Sequence, residues 1–473
     1  MLPKLPEYLT VRGLFTLLTP GSLLLIALVY GSLWGIYQNN DIDNAWSTAW
    51  IYNFIRYGET RDVIFCEGDP NYWGVRFFSH IYCRIYGGLL TLLGFTKNNV
   101  HLVSGGMTIA GVICWKMAAE RILKNSRQVM AFAVMLTLAG VTVAAANKAR
   151  SDAMVFACTG LVLLLATRKL YFGAALTACI AVETHPIGIT AFCYLGAWLL
   201  CFDRECLTPA GWRRGIALVA GGLCGAAVYF ILHHGELGAL RAMGASAEGG
   251  GNFLVAHFFG RASFPWRYWP DLALFVAALI GHFCVFGRRK PFFLVTIVFL
   301  IGVSLLLRRG NFHYALFCYP AFLLLTVNLV GYLGEKVLLA VWMGWIGLML
   351  PQYLYLGWRN WPGRDFPDYI RRLQELNLPR EATIYGMPND YYALMDHPGF
   401  RTFRLQDRLR SAWLIEHVGT IYAQPDFKCD LAYEPGRWHL ERSAEFSLKS
   451  GGVIRIWHVM QAPAAPLQQP NTK

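Results

Sequence analysis

The chain has 473 residues, of which 55% are hydrophobic and only 15% are charged, whereas soluble domains carry about 25% charged residues. Its formal net charge is +13 at pH 7, but the basic excess falls in short segments between long apolar runs. Basic loops of this kind are typical of the cytoplasmic side of membrane proteins. Composition and charge therefore exclude an ordinary soluble enzyme, argue against a nucleic-acid partner and indicate a polytopic α-helical membrane protein.

The apolar runs predict about eleven transmembrane helices within a membrane domain of residues 1–357. Runs such as 128–146 and 291–307 contain no charged residue, and their lengths approach the ~20 residues that cross a bilayer as a helix. Helices are expected because lipid offers no partner to unpaired backbone groups, and the alternating pattern of a barrel is absent. The predicted spans lie near 14–37, 100–119, 128–146, 153–167, 170–184, 187–202, 215–232, 270–286, 291–307, 312–331 and 337–357.

Basic clusters set the predicted orientation of these spans. The clusters around Arg121, Arg213 and Arg288 are placed on the cytoplasmic side, where Lys and Arg accumulate in short loops. The first apolar run lacks a clear cleavage site and is interpreted as an uncleaved span. The N-terminus is then cytoplasmic, and the C-terminus lies on the opposite side of the membrane.

Two long external loops follow from this orientation, at 38–99 and 233–269. The first contains a short apolar run, 81–95, that includes Arg84. If this run crossed the membrane, every later basic loop would face outward, so it is predicted to be an interfacial or re-entrant helix. The second loop begins with His233 and His234, which are interpreted as loop residues.

Residues 358–460 predict a small extracytoplasmic α/β domain, because strand-like runs such as 382–385 and 452–457 alternate with charged helical stretches. The tail 461–473 is rich in Pro, Gln and Ala and is predicted to be disordered. Cys66 and Cys429 would both lie outside the cytoplasm, where a disulfide can form. Their spacing in the sequence leaves open whether they are bonded.

Ionisable residues at the ends of the spans gather on the external face in this topology. A charge at membrane depth costs roughly 2.5–3.5 kcal/mol on insertion scales, so such residues are functional or paired by default. One of them alone is equally well explained as a solvated helix end, but four loops contribute here. The residues are Asp41 and Asp43, Arg150 and Asp152, Glu183 and His185, and Arg308, Arg309 and His313.

The combination of acidic and basic side chains on one face favours a group-transfer reaction from an anionic, lipid-borne donor. A carboxylate can accept the proton of an attacking hydroxyl, and guanidinium groups bind phosphate oxygens and stabilise the leaving charge. The sequence contains no Walker loop, dinucleotide glycine motif or zinc-ligand spacing. These observations predict a membrane transferase that handles a phosphorylated lipid.

The sequence resembles the GT-C superfamily of membrane glycosyltransferases, the group of the protein O-mannosyltransferases and the lipid A aminoarabinose transferases. The likeness covers roughly residues 10–360 and is carried by four short segments. They are Asp43-Asn44 at the opening of the first external loop, Lys148–Asp152 before a span, Thr184–Gly188, and Arg308–Tyr314 followed by Tyr319-Pro320.

The resemblance implies an inverting sugar transfer from a polyprenyl-phosphate-linked donor to a hydroxyl acceptor on the periplasmic side. Asp43 is then the general base, Asp152 orders the site, and Arg76 or His80 lines the donor site. Phosphate binding is implied for Arg308, Arg309 and His185. The complete substrate-binding set is Asp41, Asn44, Arg76, His80, Arg150, Asp152, His185, Arg308, Arg309 and His313.

Two departures from the family pattern leave alternatives open. The second acid of the usual pair is Asn44, while an additional acid, Asp41, forms an Asp-Ile-Asp sequence with Asp43. No cofactor is required by the proposed chemistry, but this sequence keeps a divalent metal open as an alternative. His185 stands where relatives carry a lysine, so a structural helix-cap histidine is an equal alternative to a phosphate ligand.

Two other functions remain open from the sequence. A transporter or flippase also needs several spans and polar residues, although no half-to-half repeat is evident here. A polysaccharide polymerase or ligase would use external arginines on a diphosphate-linked lipid donor. The compact chain predicts a bacterial inner-membrane location, and the acceptor can be a glycan, a lipid or a protein.

Overall fold

A computed structural model describes residues 42–58, 79–123, 125–234, 254, 269–287, 290–307, 312–402, 411–423 and 438–461. Several predictions fall outside the described residues. They concern the first span near 14–37, most of the external loop 233–269, the tail after residue 461, and the pair Cys66 and Cys429.

Within these ranges the chain divides into two compact units. The helical unit contains residues 79–94 and 98–356, and the terminal unit contains residues 42–58, 95–97 and 357–461. Residues 42–58 and 95–97 of the loop 38–99 thus belong to the same compact unit as the C-terminal residues. The predicted membrane domain of residues 1–357 stays a prediction.

Helices dominate the described residues up to 360, and each predicted span from 100–119 onward overlaps one helix or two. The helices are α1 (Ile42–Tyr57), α2 (His80–Leu93), α3 (Lys97–Ile122), α4 (Ser126–Leu138), α5 (Gly140–Ala146), α6 (Asp152–Thr167), α7 (Tyr171–Thr184), α8 (Ile189–Phe202), α9 (Trp212–His233), α10 (Trp269–Phe286), α11 (Pro291–Leu307), α12 (Tyr319–Leu333) and α13 (Glu335–Asn360).

The length and composition of the helices are those of a multi-pass membrane protein. Three of them, α3, α13 and α9 with its preceding turn, are long and apolar enough to cross a membrane. Six shorter apolar helices accompany them in the described part of the chain, namely α6, α7, α8, α10, α11 and α12. The number of eleven spans stays a prediction.

The predicted span 128–146 is two helices rather than one. Helices α4 and α5 meet at an angle of 59°, because Ala139 between them has an extended backbone. The Tyr353 hydroxyl donates a hydrogen bond of 2.6 Å to the Leu138 carbonyl beside the break. Apolar composition alone could not reveal this break, because the residues on both sides of it are equally apolar and buried.

Helix α9 packs closely on α7 through two glycines. A Cβ atom on Gly221 would lie 2.2 Å from the Phe172 carbonyl oxygen, and one on Gly225 would lie 2.3 Å from Cys179 Cβ. Real carbon–oxygen and carbon–carbon contacts are longer than this, so any larger residue would force the helices apart. The two glycines therefore fix the approach of α9 to α7.

One end of α7 and α8 carries a compact ionic cluster. The Tyr171 hydroxyl donates to Asp203 Oδ2 at 2.6 Å, and Arg214 donates to both Asp203 oxygens at 2.6 Å. Arg214 also contacts the exposed Glu205 at 2.9 Å. In the predicted orientation this end faces the cytoplasm.

The terminal unit contains a mixed five-stranded sheet. Its strands are β1 (Ile384–Tyr385), β2 (Phe400–Arg401), β3 (Ser411–Val418), β4 (Trp438–Ser447) and β5 (Val453–Gln461). Their order is β2-β1-β3-β5-β4, with β1 parallel to β2 and β3, and β5 antiparallel to β3 and β4. A small sheet at the C-terminus was predicted, and the structure contains one.

One face of this sheet is covered by α14 (Phe366–Glu375). Phe366, Tyr369 and Leu373 are buried along one side of the helix, at the spacing of an amphipathic helix. They join a core with Ile415 and Ile456 of the sheet. Packing against this helix gives the short strands the apolar cover that a small sheet needs for stability.

Candidate functional site

The first turn of α2 is bound to the last turn of α7 through Glu183. The backbone N–H groups of His80 and Ile81 donate to the Glu183 carboxylate at 2.8 and 3.3 Å. Ser79 adds two bonds, from its N–H to the Glu183 carbonyl at 2.8 Å and from its hydroxyl to the Thr184 carbonyl at 2.9 Å. A buried carboxylate therefore satisfies donors at a helix N-terminus, where the helix dipole favours negative charge.

A buried histidine completes the environment of Glu183. His233 Nε2 lies 3.3 Å from Glu183 Oε1, and the His233 side chain is fully buried. Its ring centroid is 4.5 Å from that of His80. His233 was predicted to be a loop residue, and this prediction is wrong, because α9 continues to His233. Glu183 thus joins the ends of α7 and α9 to the start of α2.

Helix α2 also contacts the loop that carries Arg150. The Tyr82 hydroxyl donates to the Ala149 carbonyl, the residue directly before Arg150. Burial raises the pKa of Tyr82 well above its ordinary value, with smaller contributions from Tyr86 and Cys83. The phenol therefore stays protonated and acts as the donor. One helix turn thus links the loop before α6 to the end of α7.

Arg150 and Asp152 form an ion pair at the start of α6. The distance from Arg150 Nε to Asp152 Oδ2 is 2.7 Å, and the two side chains are 12% and 4% exposed. The other carboxylate oxygen, Asp152 Oδ1, is buried and has no hydrogen-bond partner among the described residues. A buried anionic oxygen without a partner is costly. This oxygen can accept a hydrogen bond from a donor that the described residues do not supply, such as a hydroxyl group of a ligand.

His185 begins the 3₁₀ turn Pro186–Gly188 and holds it in place. Its Nδ1 accepts the Ile187 N–H at 3.2 Å, and its Nε2 lies 3.2 Å from the Tyr314 hydroxyl. Because a backbone N–H can only donate, Nδ1 must be unprotonated, so the ring is neutral in this arrangement. The geometry favours the helix-cap alternative for His185, while its phosphate role stays a prediction.

The structure describes some of the predicted site residues and not others. In the helical unit, His80 begins α2 and Asp152 begins α6. Arg150 and His185 lie in the loops before α6 and after α7, and the bonds of Tyr82 and Glu183 connect α2 to these two segments. Asn44 is buried on α1 in the terminal unit. The backbone of Asp43 belongs to α1 and that of His313 to the 3₁₀ turn Phe312–Phe317. Asp41, Arg76, Arg308 and Arg309 lie outside the described residues.

A comparison with solved structures places this arrangement in a known fold. The crystal structure of ArnT from Cupriavidus metallidurans bound to undecaprenyl phosphate matches with a TM-score of 0.60 and 12% sequence identity. The match covers 92% of this chain and 97% of that one. The chain has the GT-C fold. The resemblance inferred from the sequence is confirmed at the level of the fold.

A second solved structure also matches, at a lower score. The cryo-EM structure of arabinosyltransferase EmbB from Mycobacterium smegmatis matches with a TM-score of 0.46 and 14% identity, over 70% of this chain and 32% of that one. No protein-family model and no curated protein sequence matches the chain.

The described part of the GT-C fold contains no group of three or more His, Cys, Asp or Glu residues that could hold a metal ion. Asp41 lies outside this part, so the Asp-Ile-Asp alternative with a divalent metal stays a prediction. The cysteines whose side chains are described, such as Cys83 and Cys318, are free thiols.

Sequence reasoning missed two contributors to the site, Tyr82 and His233. Glu183 was singled out, but its binding of a helix 103 residues earlier in the chain has no sequence signal. For Tyr82 a signal existed, because Tyr82, Tyr86 and Leu90 recur at the four-residue spacing of one helix face. That periodicity indicates a buried face and hence a docked helix.

Proposed function

We propose that the protein is an inverting glycosyltransferase that moves a sugar from a polyprenyl-phosphate-linked donor to a hydroxyl acceptor. The observation that carries this proposal is the buried Arg150–Asp152 pair with its unsatisfied carboxylate oxygen in a GT-C fold. Support for a lipid phosphate comes from ArnT, whose structure with this fold is bound to undecaprenyl phosphate.

In the proposed reaction the acceptor oxygen attacks the anomeric carbon of the donor sugar. Asp43 takes the hydroxyl proton as general base. The bond from the anomeric carbon to the phosphate oxygen breaks, and polyprenyl phosphate leaves with the bonding electrons. The new glycosidic bond forms on the opposite face of the sugar, so the configuration inverts.

The remaining predicted residues are assigned to donor binding in this proposal. Arg308, Arg309 and Arg150 bind phosphate oxygens, because guanidinium groups match their geometry and charge. Asp152 fixes the orientation of Arg150 through their ion pair. Arg76 and His80 line the donor site, with Asp41, Asn44, His185 and His313 near the reacting groups.

We also propose the membrane arrangement predicted from the sequence. It has eleven spans in a bacterial inner membrane, a cytoplasmic N-terminus and a periplasmic terminal domain. The reaction then takes place on the periplasmic side, and the acceptor is a glycan, a lipid or a protein.

The test supplies purified, lipid-embedded protein with labelled polyprenyl-monophosphate sugars and a hydroxyl acceptor. The proposal expects release of polyprenyl phosphate, which Asp43→Asn abolishes while the protein remains folded. Full transfer by Asp43→Asn would contradict the assignment of the base. Turnover restricted to a diphosphate-linked donor would favour the polymerase or ligase, and movement of intact donor across the bilayer without transfer would favour the flippase.

A further inference from the structure

Helix α1, which carries Asp43 as its second residue, is built into the terminal unit. Ala45, Thr48 and Ala49 are fully buried, and with Tyr52 they recur at the spacing i, i+3, i+4 and i+7 of one helix face. Ala45 and Ala49 belong to the same core as Phe366 and Tyr392. The small alanines allow the backbone of α1 to approach this core closely.

A chain of hydrogen bonds runs from the terminal core to the first turn of α1. The Thr48 hydroxyl donates to the Asn44 carbonyl at 2.7 Å and lies 3.1 Å from the Tyr392 hydroxyl. Since Thr48 has one hydroxyl proton, Tyr392 must donate to Thr48 in this arrangement. The chain therefore passes from Tyr392 through Thr48 to Asn44, the residue directly after Asp43.

A second anchor holds the other half of α1. The Tyr52 hydroxyl donates to Asp396 Oδ1, and the Tyr52 and Phe95 rings pack edge to face with centroids 5.1 Å apart. Burial, together with the hydrogen bond to Asp396, raises the pKa of Tyr52. The phenol is therefore a donor throughout the physiological pH range.

The helix depends on these anchors for its position. Helix α1 has 16 residues, and most of the stability of helices in proteins comes from tertiary packing of one face. A general base that is displaced by about 1 Å can cost on the order of a hundredfold in rate. The position of Asp43 thus depends on what holds α1.

We infer that the terminal unit holds α1, the helix that carries Asp43, in its working position. Thr48, Tyr52, Tyr392 and Asp396 are then positioning residues for Asp43. This inference rests on the proposed function, in which Asp43 is the general base. It gives the terminal unit a part in catalysis without any contact of these four residues with substrate.

The experiment compares Thr48→Val, Tyr392→Phe and the double variant in the full-length, lipid-embedded protein. We expect each to lower kcat about tenfold while KM for the donor stays within about twofold. The double variant should lose no more than either single variant, because both remove the same hydrogen-bond chain. Thr48→Ser keeps the hydroxyl that Thr48→Val removes, so its kcat should stay near the wild-type value.

Two further measurements separate positioning from general destabilisation. Hydrogen exchange of the peptide 42–57, measured without substrate, should become faster in the Thr48→Val and Tyr392→Phe variants. Tyr332→Phe is the matched control, because Tyr332 is 64% exposed on α12, and it should change neither kcat nor exchange.

The experiment separates a failure of the positioning role from a failure of the proposed function. Faster exchange of 42–57 with an unchanged kcat would overturn the positioning role, and so would additive losses in the double variant. If the wild-type protein transfers no sugar, the proposed function fails. The exchange data would then still decide whether the Thr48 and Tyr392 hydroxyls hold α1.

Discussion

The two ends of α7 and α8 bury carboxylates in different ways. At one end, Asp203 receives bonds from Arg214 and Tyr171, which lie 11 and 32 residues away in the sequence. At the other end, Glu183 binds backbone N–H groups of a helix 103 residues earlier. Near it, Asp152 keeps one buried oxygen with no hydrogen-bond partner among the described residues.

This difference separates a structural cluster from a candidate site. Both carboxylates pair with a guanidinium, but both oxygens of Asp203 are hydrogen-bonded, and these bonds hold the ends of neighbouring helices together. At the Asp152 end the bonds position loops, but they leave the carboxylate incompletely satisfied. A buried polar atom without a partner calls for a specific explanation, and a catalytic role is one of them.

The largest expected effect distinguishes the two aspartates directly. Asp152→Asn keeps the side-chain shape but removes the charge that holds Arg150, so sugar transfer should fall about a hundredfold. Asp203→Asn should keep transfer within about twofold of wild type, per folded protein. Initial rates of polyprenyl-phosphate release measure both. Equal losses of transfer rate in the two variants would contradict the distinction between a structural end at Asp203 and a functional end at Asp152.

A smaller effect is expected at Glu183. Glu183→Gln keeps an acceptor for the α2 N–H groups but loses the charge at the helix N-terminus, which should lower stability by about 1–2 kcal/mol. Transfer should fall about tenfold, because α2 positions the Arg150 loop. Glu205→Gln, at a site that is 74% exposed, is the control. Thermal unfolding in lipid and transfer rates are the measurements, and an unchanged transfer rate in Glu183→Gln would contradict the role of α2.

A matched pair of tyrosines sharpens the comparison further. Tyr82→Phe and Tyr171→Phe each remove one buried hydroxyl donor and should each cost about 1 kcal/mol of stability. Only Tyr82→Phe should slow transfer, by about fivefold, since only Tyr82 contacts the loop before Arg150. Equal slowing by both substitutions would indicate that transfer follows stability alone.

The smallest effect concerns acid sensitivity of the terminal unit. The hydrogen bond from Arg455, aided by Arg442, holds the pKa of Glu445 below its usual value of 4.5. The resulting stabilisation is present above pH 4.5 and is lost as the pH falls through the lower folded-state pKa. Glu445→Gln should therefore flatten the loss of stability in this acidic range. Tryptophan fluorescence during acid titration would record it, and an unchanged slope would contradict the ion-pair account.

Much of the helical unit could be predicted from the sequence, because apolar length and basic loops determine where helices end. The span predicted at 153–167 is α6 at Asp152–Thr167, and 170–184 is α7 at Tyr171–Thr184. The break at Ala139 could not be predicted, since both flanking helices are apolar. The hydrogen bonds to Glu183 could not be predicted from the sequence either, because they join segments that are distant in the chain.

The buried face of α1 could be recognised from the sequence. Ala45, Thr48, Ala49 and Tyr52 repeat at helical spacing, which indicates a helix packed on a core. The core itself lies more than 300 residues later, around Phe366 and Tyr392. Periodicity can reveal that a helix has a partner, but it cannot identify the partner.

The most direct test of the account measures the binding of polyprenyl phosphate to two arginine variants by native mass spectrometry. Arg150→Gln alters the end with the unsatisfied carboxylate, and Arg214→Gln alters the fully paired end. We expect binding that is about tenfold weaker in Arg150→Gln and unchanged in Arg214→Gln. Equal binding by both variants, or weaker binding only in Arg214→Gln, would contradict it.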